Sequence, residues 1–132
     1  MEQPGTGIVL NKIGQIALTV ADLSRATAFY RDKLGMPFLF QAEDMAFFAC
    51  GEVRLMLTLP EGEEGARAGA NSVLYFTVPD LQVAYTAFSQ NGVEFVDQPH
   101  LIARMDSYDL WMVFFRDSEG NLLGLMSEVA RS

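Results

Sequence analysis

The chain repeats one short pattern, and this internal repeat constrains its fold more than any other feature of the sequence. The residues Val20-Ala21-Asp22-Leu23 are matched, 58 positions later, by Val78-Pro79-Asp80-Leu81. Both stretches follow an apolar run typical of a strand, and each aspartate can cap a helix by accepting from the free amides of its first turn. An apolar stripe with helical spacing follows each cap, and Gly35 or Gly92 ends it. The repeat therefore predicts two copies of a strand followed by a helix.

Apolar runs after each helix predict three further strands in each copy. They lie near 36–42, 45–50 and 53–59 in the first copy and near 93–97, 110–116 and 122–128 in the second. Each copy is thus expected to form a βαβββ module, the first about 13–59 and the second about 72–128. The acidic, glycine-rich stretch 60–71 is expected to be a surface linker. We predict a single α+β domain over 1–132, with a curled mixed sheet around a cleft and helices on the outer face.

The alternation of side chains along the strands assigns their faces. In 53–59 the residues Val53, Leu55, Leu57 and Leu59 form one aliphatic face, which we expect to pack against a helix. Arg54 and Met56 lie on the other face, which we expect to line the cleft together with Gln15 of the first strand and Tyr75 of the fifth. The strand 110–116 is apolar on both faces, so it must be covered on both sides.

The net charge of the chain limits the classes of partner that it is expected to bind. Nine Lys and Arg residues against 17 Asp and Glu residues give a net charge of −8. A surface of this sign repels nucleic-acid phosphates and anionic lipid headgroups, so we expect neither nucleic acid nor membrane as a partner. The polar, acidic start has no basic leader-like segment, and we expect a cytoplasmic protein. The one cysteine, Cys50, lies in an apolar run and is expected to be a buried structural residue.

The chain resembles the vicinal oxygen chelate superfamily, which includes glyoxalase I, extradiol dioxygenases, fosfomycin-resistance enzymes and bleomycin-resistance proteins. The resemblance covers about 13–128, and the segments that carry it are 13–23, 29–35, 78–81, 91–95 and 115–123. It implies the fold of two tandem βαβββ modules. The resemblance further implies that, in the enzymes of this superfamily, each module supplies ligands to one divalent metal from the concave face of the sheet. Open coordination positions then allow a substrate's adjacent oxygens to chelate.

The resemblance places the four metal-ligand positions on Gln15, Met56, Val73 and Gly124. Gln15 offers a single neutral oxygen, and the other three residues cannot bind a hard divalent cation. The one histidine, His100, follows a proline at a predicted loop or strand end. We therefore predict no metal and no cofactor, and we disfavour metal-dependent glyoxalase, dioxygenase or thiol-transferase chemistry.

The leading hypothesis is a metal-free binding protein, which resembles the bleomycin-resistance type that sequesters a drug without changing it. Aromatic side chains stack on planar or cationic groups and methionines adapt to irregular shapes, so we expect a small aromatic or cationic ligand. Arg54 argues against a cleft that is purely selective for cations. We expect a homodimer, because the module pair leaves sheet edges open. The predicted cleft residues are Gln15, Arg54, Met56, Val73, Tyr75, Trp111, Gly124 and Met126.

Two other hypotheses stay open at this point. A metal-independent enzyme, of lyase or isomerase type, needs a general base in the cleft. Asp106, Tyr108 and Asp109 cluster just before the strand 110–116, and Glu43 with Asp44 forms a second acidic pair in a predicted hairpin turn. A glyoxalase- or dioxygenase-like metalloenzyme would return if the four ligand positions are assigned wrongly. The chain can also be a scaffold that dimerises through its apolar faces and binds little.

Overall fold

The computed structural model describes residue 8, residues 12–60 and residues 72–131, and it contains the same order of elements in each half of the chain. The first half consists of β1 (Gln15–Thr19), α1 (Leu23–Ala28), a π-helical segment (Phe29–Lys33), β2 (Phe38–Ala42), β3 (Met45–Cys50) and β4 (Val53–Thr58). The second half consists of β5 (Leu74–Thr77), α2 (Leu81–Gln90), β6 (His100–Arg104), β7 (Tyr108–Arg116) and β8 (Leu122–Ala130). Each half is therefore a βαβββ module.

The strands form two four-stranded mixed sheets, one from each module. The first sheet has the order β1-β4-β3-β2, and the second has the equivalent order β5-β8-β7-β6. In each sheet the first and last strands of the module run parallel, and the other neighbours are antiparallel. The predicted α+β class and tandem modules are confirmed. The β-structure consists of two hydrogen-bonded sheets rather than one.

The helices cover one face of these sheets, and the core lies between them. Leu55 and Leu57 of β4 are 2% and 0% exposed, which confirms that the aliphatic face of this strand packs inward. Burial of such apolar surface is the main favourable contribution to folding, at about 25 cal/mol for each Å² removed from water. The largest fully buried side chains are Tyr30, Phe48, Phe115, Leu55, Leu57 and Leu123.

Both helices begin and end as the repeat predicts. The Asp22 side chain accepts from the Arg25 amide at 3.0 Å, and the Asp80 side chain accepts from the Val83 amide at 3.1 Å. The first helix differs from the second because its last part is π-helical, with the Leu34 amide donating to the Phe29 carbonyl at 3.1 Å.

The prediction of a strand at 93–97 is wrong, because the third strand of the second module is β6 at His100–Arg104. Phe95 makes only an isolated bridge to Phe115. The Asp97 side chain accepts from the Phe114 amide at 2.8 Å, so a carboxylate takes the place that a strand carbonyl would occupy beside β7. Pro99 lies directly before the first residue of β6. Proline is tolerated at the start of a strand, so it does not interrupt the pairing of β6.

The two modules are joined by a cluster of polar contacts around α1. The Glu119 side chain, which is 2% exposed, accepts from the amides of Ala21 and Asp22 at 3.0 and 2.9 Å. It also accepts from Arg25 Nε at 2.7 Å. These hydrogen bonds, above all that from Arg25, lower the pKa of Glu119 to about 2. The Glu119 carboxylate therefore holds the beginning of α1 from the opposite module.

A second inter-module contact lies deeper. The buried Tyr30 hydroxyl donates to Asp117 Oδ2 at 2.7 Å, and the other Asp117 oxygen accepts from the amides of Glu119 and Asn121. Burial, together with the negative Asp117, raises the pKa of Tyr30 far above its usual value.

The predicted linker 60–71 lies outside the described residues except for Pro60. In the described part of the chain, no helix is both long enough and apolar enough to cross a membrane.

Candidate functional site

The face of each sheet that points away from the helices carries most of the predicted site residues, and we call it the cleft face. In the first sheet, strand register places Gln15 beside Arg54 and Ala17 beside Met56, with Phe47 on the far side of Met56. In the second sheet, the register places Tyr75 beside Gly124 and Thr77 beside Met126. Six of the eight predicted cleft residues thus share this face.

Gln15, Arg54 and Met56 form a contact group on the first sheet. The Gln15 Oε1 atom accepts from Arg54 Nε at 2.8 Å, and Gln15 Nε2 lies 3.9 Å from Met56 Sδ. The glutamine therefore turns its oxygen toward a guanidinium group and not into open space. Both terminal amino groups of Arg54 have no partner among the described residues, so they can donate to a ligand.

Two phenylalanines extend this group, and our sequence reasoning missed both. The Arg54 guanidinium carbon lies 5.4 Å from the centre of the Phe47 ring, within the range of a cation–π contact. Phe47 stacks on Phe40 with ring centres 4.5 Å apart, and Phe40 is 46% exposed. The alternation of β3 predicts that Phe47 shares a face with Met45, which was the available signal. Together these residues, Gln15, Arg54, Met56, Phe47 and Phe40, are called the arginine cluster below.

On the second sheet, Tyr75 lies across Gly124. A Cβ atom added at Gly124 would be 2.9 Å from Tyr75 Cδ2 and 3.2 Å from Phe114 Cε1. The Tyr75 and Phe114 rings meet edge to face at 5.8 Å. The tyrosine, which is 47% exposed, thus fills the space that a side chain at position 124 would need. Phe114 is the third residue of this face that the sequence reasoning did not select.

Val73 lies outside both contact groups, at the junction of the modules. It comes just before β5 and lines a cavity of about 470 Å³ between β1 and the stretch 72–74. The edges of β1 and β5 therefore lie close together without forming one sheet.

The placement of Trp111 in the cleft is wrong. Strand register pairs Trp111 with Ser127, whereas the cleft-face residue Met126 pairs with Met112. Trp111 consequently points to the helix side of the second sheet, where it packs against the buried core. Because β7 is apolar on both faces, its sequence does not indicate which side chains point to the helices and which point to the cleft.

The candidate bases of the enzyme hypothesis are not gathered on the cleft face. Tyr108 and Asp109 belong to β7 rather than to a loop, and Asp109 forms an ion pair with Arg131. Asp109 also shares the helix side of the strand with Trp111. Asp106 is exposed in the turn before β7, and Glu43 with Asp44 occupies the predicted turn between β2 and β3.

Neither His100 nor Cys50 has a described contact with the arginine cluster, although strand register pairs His100 with Met112 on the cleft face of the second sheet. His100 Nδ1 lies 2.8 Å from the Gln98 carbonyl oxygen and 3.8 Å from Asp97 Oδ2. Cys50 is half-buried rather than buried, and burial raises the pKa of its thiol. A raised pKa keeps the thiol protonated and therefore poorly nucleophilic.

Comparison with known proteins agrees with this architecture. A model of the Glyoxalase/Bleomycin resistance protein/Dioxygenase superfamily matches residues 12–125. The chain belongs to this superfamily. The resemblance inferred from the repeat and its motifs is thereby confirmed.

The proteins to which the chain is similar carry different descriptions. The chain is 31% identical over 124 residues to Uncharacterized protein YraH of Bacillus subtilis (strain 168), covering 85% of this chain and 94% of that protein. It is 33% identical over 82 residues to the Bleomycin resistance protein of Geobacillus stearothermophilus, covering 62% of this chain and 61% of that protein. A crystal structure of lactoylglutathione lyase from Agrobacterium tumefaciens is similar with a TM-score of 0.72 and 25% identity, over 90% of this chain and 95% of that one.

The residues at the positions that the resemblance assigns to a metal do not fit a divalent cation. Gln15 Oε1 is already engaged by the positive Arg54 side chain, which would repel a metal ion at the same place. Met56 and Val73 offer no hard ligand, and the Tyr75 ring closes off position 124. Within residues 12–60 and 72–131, no three His, Cys, Asp or Glu side chains group in a way that could hold a metal.

Proposed function

We propose that this superfamily member is a metal-free binding protein that holds a small planar aromatic molecule on its cleft face, with Arg54 as the polar anchor. The observation that supports this most strongly is the arginine cluster, where a cation stands beside the glutamine at a ligand position of the superfamily. Its guanidinium lies over an aromatic ring with its terminal amino groups unengaged, an arrangement suited to a ligand oxygen beside an aromatic plane.

The chemistry of the cluster selects the ligand class. Phe40 offers an exposed ring that already stacks on Phe47, so a planar ligand can extend the stack. Met56 supplies adaptable apolar surface within the same cluster, and Tyr75 presents an aromatic ring on the cleft face of the second sheet. The oxygen that faces Arg54 belongs to a carbonyl, phenolate or carboxylate group. The cationic ligand that the sequence also suggested is supported only by the net charge of −8.

The test is calorimetric titration of chelator-treated protein with three probes: 2-naphthoate, 2-(aminomethyl)naphthalene and metal-free bleomycin. We expect 2-naphthoate to bind, and Arg54→Met to weaken its binding about tenfold. The matched control is Arg104→Met, which removes the same charge from an exposed position in β6. Preference for the amine, or an equal loss in both variants, would show that Arg54 is not the anchor. Bleomycin is included because a relative bears its name.

Titration of the same protein with nickel, manganese and zinc tests the metal-free part of the proposal. We expect no stoichiometric binding. Tight binding that disappears in Gln15→Ala would overturn the proposal and restore a glyoxalase- or dioxygenase-like metalloenzyme. A metal-independent lyase or isomerase remains the alternative if a bound aromatic probe is chemically changed.

The homodimer predicted from the sequence is also kept as a proposal, and so is the cytoplasmic location. The outermost strands β2 and β6 both expose apolar side chains, which favours pairing with a second copy. These side chains are Phe38, Leu39, Phe40, Leu101 and Ile102. Sedimentation at micromolar concentration tests the dimer, and a monomer would contradict it.

A further inference from the structure

A cavity of about 380 Å³ lies on the helix side of the second module, on the opposite face of the sheet from the arginine cluster. It lies beside the first turn of α2, where the chain leaves β5. We call it the α2 cavity. Its walls include Pro79, Asp80 and Leu81 at the helix start, Pro99 from the segment before β6, and Trp111 with Ser127 from the sheet.

Ser127 contributes a polar side chain to the sheet side of this cavity, next to the apolar Trp111 and Val129. The residue is only 1% exposed, and its hydroxyl has no hydrogen-bond partner among the described residues. Buried hydroxyls are normally hydrogen-bonded, because leaving one unpaired forfeits its hydration without replacement. A ligand group that reaches Ser127 would supply the missing partner.

The electrostatics of the α2 cavity favour an uncharged ligand. The amides at the start of α2 disfavour a cation, because a helix N-terminus carries partial positive charge. Asp80 disfavours an anion, although one of its oxygens is already engaged by the Val83 amide. The rings of Trp111, Pro79 and Pro99 offer flat apolar surface, and the volume falls within the usual range for small-molecule sites.

We propose that the α2 cavity is a second binding site, which takes a small uncharged aromatic molecule whose single hydrogen-bonding group pairs with the Ser127 hydroxyl. The site stands on the other face of the sheet from the proposed cleft. It therefore does not depend on the function proposed for that cleft.

The experiment follows amide signals of ¹⁵N-labelled protein by NMR during titration with indole and with 1-methylindole, which lacks the N–H donor. Trp111 is the one tryptophan of the chain, so its side-chain N–H gives a single reporter signal. We expect saturable shifts of this signal and of the Ser127 amide. Indole should bind about fivefold more tightly than 1-methylindole because only indole donates to Ser127.

Three variants decide the outcome. Ser127→Ala should remove the difference between the two probes. Thr27→Val should preserve it, since Thr27 carries the other buried hydroxyl that has no partner among the described residues, and it does not line this cavity. Arg54→Met on the cleft face should leave the indole-induced shift of the Trp111 signal unchanged, because Arg54 does not line the α2 cavity. If neither probe shifts the Trp111 signal at millimolar concentration, the proposed site is wrong. Equal affinities for both probes in the unmodified protein would overturn the role of Ser127.

Discussion

The two helices of the repeat begin with the same capping residue but in different surroundings. At α1 the Asp22 cap is supplemented by Glu119, which reaches across from the other module to the amides of Ala21 and Asp22. At α2 the cap is Asp80, and in the described part of the chain no side chain from the first module joins it. Pro79 has no amide hydrogen to donate, and the α2 cavity lies beside this turn. The start of α1 is thus held by Glu119 of the other module, and we call these contacts the clamp. The start of α2 has a cavity beside it instead.

This difference shows that a repeated sequence pattern encodes an element but not what lies against it. The turn between β7 and β8, which spans 117–121, is long enough to carry Glu119 to α1. The corresponding turn between β3 and β4 has only Gly51 and Glu52. Glu52 is 88% exposed and contacts Lys12 at 3.7 Å. The asymmetry of the two modules therefore arises in their last turns, outside the repeated motif.

The largest expected effect comes from removing the clamp. Glu119→Ala leaves Arg25 and the amides of Ala21 and Asp22, just before α1, without their acceptor. We expect it to lower the free energy of unfolding by about 3 kcal/mol. Urea denaturation measures the change. Glu52→Ala, in the equivalent turn of the first module, is the matched control and should leave stability unchanged. Similar losses of stability in the two variants would show that the clamp contributes no more to stability than the turn between β3 and β4 does.

The pH dependence of stability tests the same clamp through its charge. Because the pKa of Glu119 is lowered from an ordinary 4.5 to about 2 in the folded protein, its contribution is complete above pH 4.5 and is lost as the pH falls toward 2. We expect the difference in unfolding free energy between the unmodified protein and Glu119→Gln to shrink by roughly 2 kcal/mol across this window. A difference that is constant from pH 6 to pH 2 would show that the charge is unimportant.

The deeper inter-module contact should have a smaller effect. Tyr30→Phe removes the hydroxyl that donates to Asp117 at 2.7 Å, and we expect a loss of about 2 kcal/mol because the acceptor is a buried carboxylate. Tyr85→Phe, at a half-buried position in α2 whose ring packs on Phe95, is the control and should change stability little. Thermal or urea unfolding compares the pair. Equal losses would mean that the hydrogen bond to Asp117 adds nothing.

The smallest effect compares the two caps directly. Asp80→Ala should cost about 1 kcal/mol, the usual value for an N-cap. Asp22→Ala should cost less than half of that, because Glu119 still holds the start of α1 and is relieved of a neighbouring negative charge. Urea denaturation of the two variants under identical conditions measures the difference. A larger loss at Asp22 would contradict the view that α1 is held mainly from the other module.

The fold was largely predictable from the sequence because local patterns determine its elements. Aspartate caps, glycine ends and apolar stripes are short-range features, and the helices begin within the predicted motifs. The strand near 93–97 failed because its place beside β7 depends on Asp97, whose carboxylate bonds the Phe114 amide. Such a contact depends on tertiary structure, and composition alone does not reveal it.

The candidate site was predictable only where the strands alternate clearly. Gln15, Arg54 and Met56 were placed together because their neighbours in sequence are aliphatic and unmistakably inward. Trp111 was misplaced because β7 has apolar side chains on both faces, so that alternation carries no information there. The contact of Arg54 with Phe47 joins neighbouring strands, and it required the register of β3 against β4.

The clamp at α1 also orders events in time. The residues that complete the first helix lie 87 to 98 positions further along the chain. During synthesis, the start of α1 is therefore made with only its Asp22 cap, and it gains the second acceptor only after residue Glu119 has been made. The contacts at the start of α1 therefore form only after most of the second module has been made, and we expect the two modules to unfold as one cooperative unit.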